Sequence, residues 1–287
     1  MGYFFAFLSS LFFTLYAIPK KFAKLKPAYY VFFMGLNCLF ISSFFYVIFS
    51  NDEDLFNKYL FLSFMGGIIW FCASFLFFYC IDRIGVARAT QFKSLQGPIG
   101  SILILTILSE FNNLNIYLLI LAIIFILLAS LMLVVKDENN HKIKIKYIFL
   151  ALLSALLYGI NGFIRKYVTF KGFIYSQQIY SAIGILFGSL IYIILKNKKL
   201  NIKKENIKNF SLALLSGFFY YFASFFMLIA YKHIEGSIAF SIVQLNALWA
   251  SIIGIFIFKE IDYKKHSKKL ILGLLFALIG IYLLMIC

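Results

Sequence analysis

The chain of 287 residues is 63% hydrophobic and only 13% charged, against about 25% charge in an ordinary soluble domain. That composition excludes a soluble globular protein. Its formal net charge of +16 comes from 27 Lys and Arg against 11 Asp and Glu. The cations sit in short segments between apolar runs, where lysines set topology and meet anionic lipid headgroups. Nucleic-acid recognition is not expected, because it needs a basic face on a folded domain.

A bilayer core about 30 Å thick takes about 20 apolar residues per helix. Ten such runs predict spans over residues 2–18, 29–49, 59–80, 86–108, 114–135, 147–167, 173–195, 210–231, 237–258 and 269–286. The fold class predicted is all-α integral membrane. In the first run the positive charges Lys20 and Lys21 follow the apolar stretch, the reverse of a signal peptide, so it reads as a permanent span. Cys38, Cys72, Cys80 and Cys287 form no CxxC pair, and neither a zinc site nor a disulfide framework is indicated.

Alternate connections differ sharply in charge. Those joining spans one and two, three and four, five and six, seven and eight, and nine and ten hold 21 Lys and Arg. The opposite side holds Lys58, Arg165, Lys166, Lys171 and Lys232, and Lys93 lies within span four. Cytoplasmic connections are the cation-rich ones, so both termini are expected outside a cytoplasmic membrane.

Shifted by 150 positions, residues 67–110 align with 217–260 without a gap. Identical pairs include Gly67 with Gly217, Ser74 with Ser224, Ser101 with Ser251 and Glu110 with Glu260. Lys20-Lys21-Phe22 answers Arg165-Lys166-Tyr167 at a slightly different offset. The unit is five spans over 1–138, repeated over 146–287, and an odd number inverts the second unit in the membrane. The prediction is therefore ten transmembrane helices as two inverted five-helix repeats, the plan of many secondary transporters.

Polar side chains inside spans are costly and point to function. In span nine Ser237, Ser241, Gln244 and Ser251 recur at helical spacing. In span four Gln91, Ser94 and Ser101 occupy the places paired with the last three of these. Gln96 and Asn246 form another pair, and Asn161 and Asn37 add neutral amides. Groups that both donate and accept suit a polyhydroxy or zwitterionic solute; the alternative for the serines is close helix packing. Trp70 and Trp249 are candidates to stack on a solute ring or ordinary packing residues. Lys93 either snorkels or pairs with a neighbour, or contacts an anion or serves coupling in the cavity. Gly97, Pro98 and Gly100 predict a bend that serves as a gate hinge, with no proline partner in span nine. No carboxylate is expected at mid-membrane, and Glu110 and Glu260 are read first as caps or ion-pair partners at helix ends.

Ten spans, a five-plus-five duplication and the glutamates closing spans four and nine resemble the drug/metabolite transporter superfamily with its EamA-type repeats. The stretch Tyr16-Ala17-Ile18-Pro19-Lys20-Lys21, with Tyr29-Tyr30, Gly35, Gly67-Ile68-Ile69-Trp70 and Ile84-Gly85-Val86-Ala87, is similar to the glucose/ribose/rhamnose uptake branch. Ile164 stands where a matching proline of the second half would fall, a departure from that pattern. The resemblance implies a secondary transporter moving a small polar metabolite, sugar ahead of amino acid, nucleoside or drug export. A lipid-headgroup flippase or a non-transporting membrane subunit is the alternative of another class. An enzyme is not expected, since His141, His233 and His266 all lie near loops and make no convergent cluster. No cofactor or metal is implied. The expected partners are a small-molecule substrate and membrane lipids, with a homodimer as an open alternative.

Overall fold

The computed structural model describes residues 1–50, 53–93, 95–110, 115–132, 144–196, 207–258 and 263–286. In lipid every backbone N–H and C=O must be satisfied within the chain, which favours helices. The described residues form thirteen: α1 (Gly2–Leu15), α2 (Ile18–Phe22), α3 (Pro27–Phe49), α4 (Lys58–Ile84), α5 (Val86–Lys93), α6 (Gln96–Leu108), α7 (Ile116–Met132), α8 (Ile145–Phe170), α9 (Tyr175–Leu195), α10 (Ile207–His233), α11 (Gly236–Val243), α12 (Asn246–Phe256) and α13 (Tyr263–Met285).

Among the described residues, seven segments are long and apolar enough to cross a membrane: Gly2–Phe22, Pro27–Phe49, Lys58–Ile84, Ile145–Phe170, Tyr175–Leu195, Ile207–His233 and Gly236–Gly254. Spans four, five and ten of the sequence reading correspond to shorter apolar helices, Gln96–Leu108, Ile116–Ala129 and Ile271–Gly280. Large apolar side chains face outward, and many hydroxyls are buried within the apolar core. Phe40, Val47, Phe61, Ile194 and Leu195 are exposed, whereas Ser9, Ser10, Thr14, Ser74, Ser154, Ser216 and Ser224 are buried. Such a surface suits lipid, and the buried hydroxyls link helices to one another. Ser154 donates to the Ala73 carbonyl at 2.9 Å and Ser9 to the Ala223 carbonyl at 2.7 Å.

Helix α4 packs against α8 and α9, and α10 against α1 and α3. Helix α3 also meets α9, α6 meets α8 and α11, α1 meets α11, and α7 pairs with α13. Two glycines 150 positions apart permit close approaches among these helices. A Cβ on Gly67 would run into the Ser181 carbonyl oxygen and the Gly184 backbone of α9. A Cβ on Gly217 would meet the Met34 carbonyl oxygen of α3 at 2.5 Å.

Span four is interrupted close to Gly97, Pro98 and Gly100. The chain leaves α5 after Lys93 and resumes helix at Gln96, so Pro98 is the third residue of a new helix. The first N–H groups of a helix lack intrahelical acceptors, and proline costs nothing there. Span nine breaks at the equivalent place without a proline, between Val243 and Asn246. There Gln244 N–H bonds to the Ser241 carbonyl and Leu245 N–H to that of Ile242, a tightened 3₁₀ pattern. A third interruption separates α1 from α2 at Tyr16 and Ala17.

Candidate functional site

The three interruptions surround one buried polar centre. Lys93 closes α5 and is 2% exposed, so it does not snorkel. Its Nζ donates to the Tyr16 hydroxyl at 3.0 Å. Four rings enclose it, with centroids at 4.5 Å (Tyr158), 4.7 Å (Phe77), 4.8 Å (Tyr16) and 5.6 Å (Phe13). The negative faces of these rings favour a cation. Tyr16 and Tyr158 share a hydrogen bond at 3.2 Å, and Ser74 bonds to the Tyr158 hydroxyl at 2.8 Å.

Arg165 on α8 is the second buried cation, 4% exposed. Its guanidinium donates to the Tyr220 hydroxyl at 3.1 Å, to the Gln178 Oε1 at 2.7 Å and to the Ser224 hydroxyl. Its Nε and the Gln178 Nε2 have no acceptor among the described residues. The sequence reading placed Arg165 at the outer end of span six. In the structure α8 continues to Phe170, which draws Arg165 and Lys166 inward. The missed signal is their register with Lys20-Lys21, since Lys20 is also buried and pairs with Asp82.

Lys93 and Arg165 line one cavity with Phe13, Trp70, Gln96, Tyr158, Asn161, Gly162, Met227, Phe240 and Val243. It encloses about 20 Å³, room for one water molecule, so a solute enters only if the surrounding helices separate. A second space of about 400 Å³ lies beside it along α8, lined by Glu110, Lys166, Phe170, Tyr231, Lys232, His233 and Glu235 among others. Consecutive residues of α8, Arg165 and Lys166, thus face the two spaces.

Of the residues singled out from sequence, Trp70, Gln96, Asn161 and Lys93 meet at the cavity. Asn161 donates to the Gly66 carbonyl at 2.7 Å, which fixes its amide. Gln96 Nε2 donates to Gln244 Oε1 at 3.1 Å, joining the two broken spans. Gln244 and Ser241 line a separate void of about 10 Å³ with Gly97 and Pro98. Ser241 lies 3.2 Å from the Ser101 hydroxyl, a helix-to-helix contact. Asn246 is fully buried and neither of its amide atoms has a partner among the described residues. Gly97 packs on Gln244, and Gly100 on the Phe240 ring. Trp249 lies elsewhere: its Nε1 donates to Ser10 at 3.2 Å and its ring meets Phe7 edge-on. Ser94 and the side chains of Gln91 and Ser251 lie outside the described residues, as does Glu260.

Glu110 caps a helix, as read from sequence. Its carboxylate accepts from Gly236 N–H, Ser237 N–H and the Ser237 hydroxyl at 2.9, 3.1 and 2.9 Å, at the positive end of α11. Lys166 Nζ lies 3.4 Å from the same carboxylate. Glu53 does the same for α9, accepting from the backbone of Ile174, Tyr175 and Ser176 at 2.8 Å each.

Apolar spanning helices around a buried, cation-bearing polar centre define a multi-pass membrane protein with a polar interior. The family described as "Sugar transport protein" matches residues 4–287, and the chain belongs to that family. It is 25% identical over 226 residues to a "Putative sugar uptake protein" of Streptococcus pyogenes serotype M6, covering 77% of this chain and 76% of the relative. A "Putative sugar uptake protein" of Lactobacillus helveticus is 27% identical over 208 residues, 71% of each. One protein crystal structure, 10% identical, superposes with a TM-score of 0.73 over 98% of this chain and 94% of its own, a likeness of fold alone.

Proposed function

We propose that this protein is a secondary carrier moving a sugar across the cytoplasmic membrane by alternating access. Residues 1–138 and 146–287 act as two inverted five-span units of the drug/metabolite transporter type that rock about the cavity. The observation that carries the reading is the cavity itself. Both units contribute to it: Phe13, Trp70, Lys93 and Gln96 from one, Tyr158, Asn161, Arg165, Met227 and Phe240 from the other. Helix interruptions next to it supply places to bend.

The pattern of helix neighbours supports the two-unit reading, because its principal pairs recur when the units are exchanged. The pair α1 with α10 answers α8 with α4, α3 with α10 answers α9 with α4, α6 with α8 answers α12 with α1, and α5 with α8 answers α11 with α1. In this reading Gln96, Asn161 and Trp70 contact the sugar, while Gln244, Asn246 and Ser241 come to line the route as the helices part. Gly97, Pro98 and Gly100 form the hinge, with the Gln244–Leu245 turn as its counterpart. The Glu110–Lys166 pair closes the larger space on its outer side.

Counterflow in proteoliposomes with a panel of labelled sugars, amino acids and nucleosides tests the proposal. Saturable exchange of a sugar is expected, lost on Trp70→Ala. Exchange of amino acids or nucleosides without any sugar would overturn it.

A further inference from the structure

Resting on the sugar-carrier reading, we propose that the cavity seats an anionic group between Lys93 and Arg165. The substrate is then a sugar bearing a negative charge, in preference to its neutral parent.

Two cations line this one cavity, and among the described residues no carboxylate lies within ion-pair distance of either. The described ion pairs of the interior are committed elsewhere, Glu110 to Lys166 and Asp82 to Lys20. A buried charge without a counter-charge is strongly unfavourable, and proteins ordinarily pair it. The four rings around Lys93 and the hydroxyls around Arg165 orient these cations without neutralising them.

Unpartnered donors also lie at Arg165. Gln178 spends its Oε1 on both Arg165 and Ser224, which leaves its Nε2 and the Arg165 Nε as buried donors with no partner among the described residues. Lys93 uses one of its three N–H donors on Tyr16. A carboxylate or a phosphate brings acceptor-only oxygens and charge together, and guanidinium matches either in a bidentate manner. A neutral hydroxyl brings a further donor and no charge. The aromatic wall of Trp70 and Tyr158 and the amides of Gln96 and Asn161 remain for the sugar body.

The test is counterflow of matched pairs in proteoliposomes: glucose against glucuronate, gluconate and glucose 6-phosphate. At least one anionic member is expected to exchange about tenfold faster than glucose or more, a difference that one charge-assisted contact supplies. The carboxylate and phosphate arms identify which anion is seated. Lys93→Met and Arg165→Gln should each bring the anion-to-neutral ratio toward one, with Lys93→Arg retaining it. If those variants do not fold, the parent decides: its melting temperature in detergent should rise with the anionic sugars and not with glucose. Glucose exchanging while the anions neither exchange nor compete would overturn this inference and leave the carrier standing. Absence of exchange for every sugar, charged or neutral, would remove the carrier reading and the inference with it.

Discussion

The rings of Trp70 and Tyr220, residues 150 positions apart in the chain, lie with centroids 4.1 Å from one another at the buried centre. Tyr220 also accepts from Arg165 at 3.1 Å, so this aromatic pair is coupled to one of the two cavity cations. The chain's other tryptophan, Trp249, is held by Ser10 away from that cavity.

An optical reporter follows from this arrangement. Intrinsic fluorescence should change when substrate binds, persist as a signal in Trp249→Phe, and vanish in Trp70→Phe. Titration of the purified protein with the exchanged sugar measures it, and a signal that follows Trp249 would place the substrate elsewhere.

The Gln96–Gln244 bond separates stability from transport. Gln244→Leu leaves a buried amide unpaired and should cost about 1–3 kcal/mol of stability. Replacing both glutamines by leucine removes the orphan and should recover much of the melting temperature. Uptake should stay depressed in the double variant, because the polar link between the broken spans is gone. Full recovery of uptake would make the pair a packing device only.

Gly67 and Gly217 should be intolerant of alanine for one shared reason. The added carbon meets a backbone oxygen in each case, and overpacking of this kind typically costs about 1–3 kcal/mol. Thermal melts of Gly67→Ala and Gly217→Ala in detergent check it. Gly172, with φ +96° and nothing within 4 Å of an added Cβ, tests backbone strain instead of crowding.

Glu110→Ala strips the cap from α11 and leaves Lys166 without its carboxylate. A loss of about 1–2 kcal/mol is expected from the cap, with Glu110→Gln milder because its amide oxygen still accepts. Glu53→Ala should weaken α9 comparably. Melting temperature is the readout, and an unchanged value for both alanine variants would remove the capping role.

Orientation is tested by reporter fusions after Asn51 and after Asn201, the first expected outside and the second inside. The contacts agree with the grouping of connections by charge. Lys24 N–H bonds to Asn209 between two cation-rich segments, and Glu53 reaches Ile174 to Ser176 between two segments of the other set. The reverse reporter pattern would invert the predicted topology.

Much of the fold was legible because lipid imposes a simple rule: apolar runs of sufficient length become helices, and cations gather in alternate connections. The trio Trp70, Gln96 and Asn161 was legible as cavity lining for a related reason, since polar or amphipathic residues inside a span need a partner. Two details depend on tertiary packing. Pro98 follows the interruption of span four, and span nine is interrupted at Gln244 without a proline. Arg165 closes the apolar run of predicted span six at its outer end, but α8 extends past it and Tyr220, Gln178 and Ser224 supply partners from other helices.

The amino-acid sequence by itself determined that this is an all-helical, multi-pass membrane protein, because hydropathy and charge act locally along the chain. Only the tertiary structure decided that Lys93 is enclosed by four aromatic rings instead of reaching the surface, and that Arg165 shares its cavity. The partners that settle each case come from helices distant in sequence: Tyr158 lies 65 positions from Lys93 and Ser224 lies 59 from Arg165. Burial of a charge is decided by what surrounds it in space, and no window along the chain contains that information.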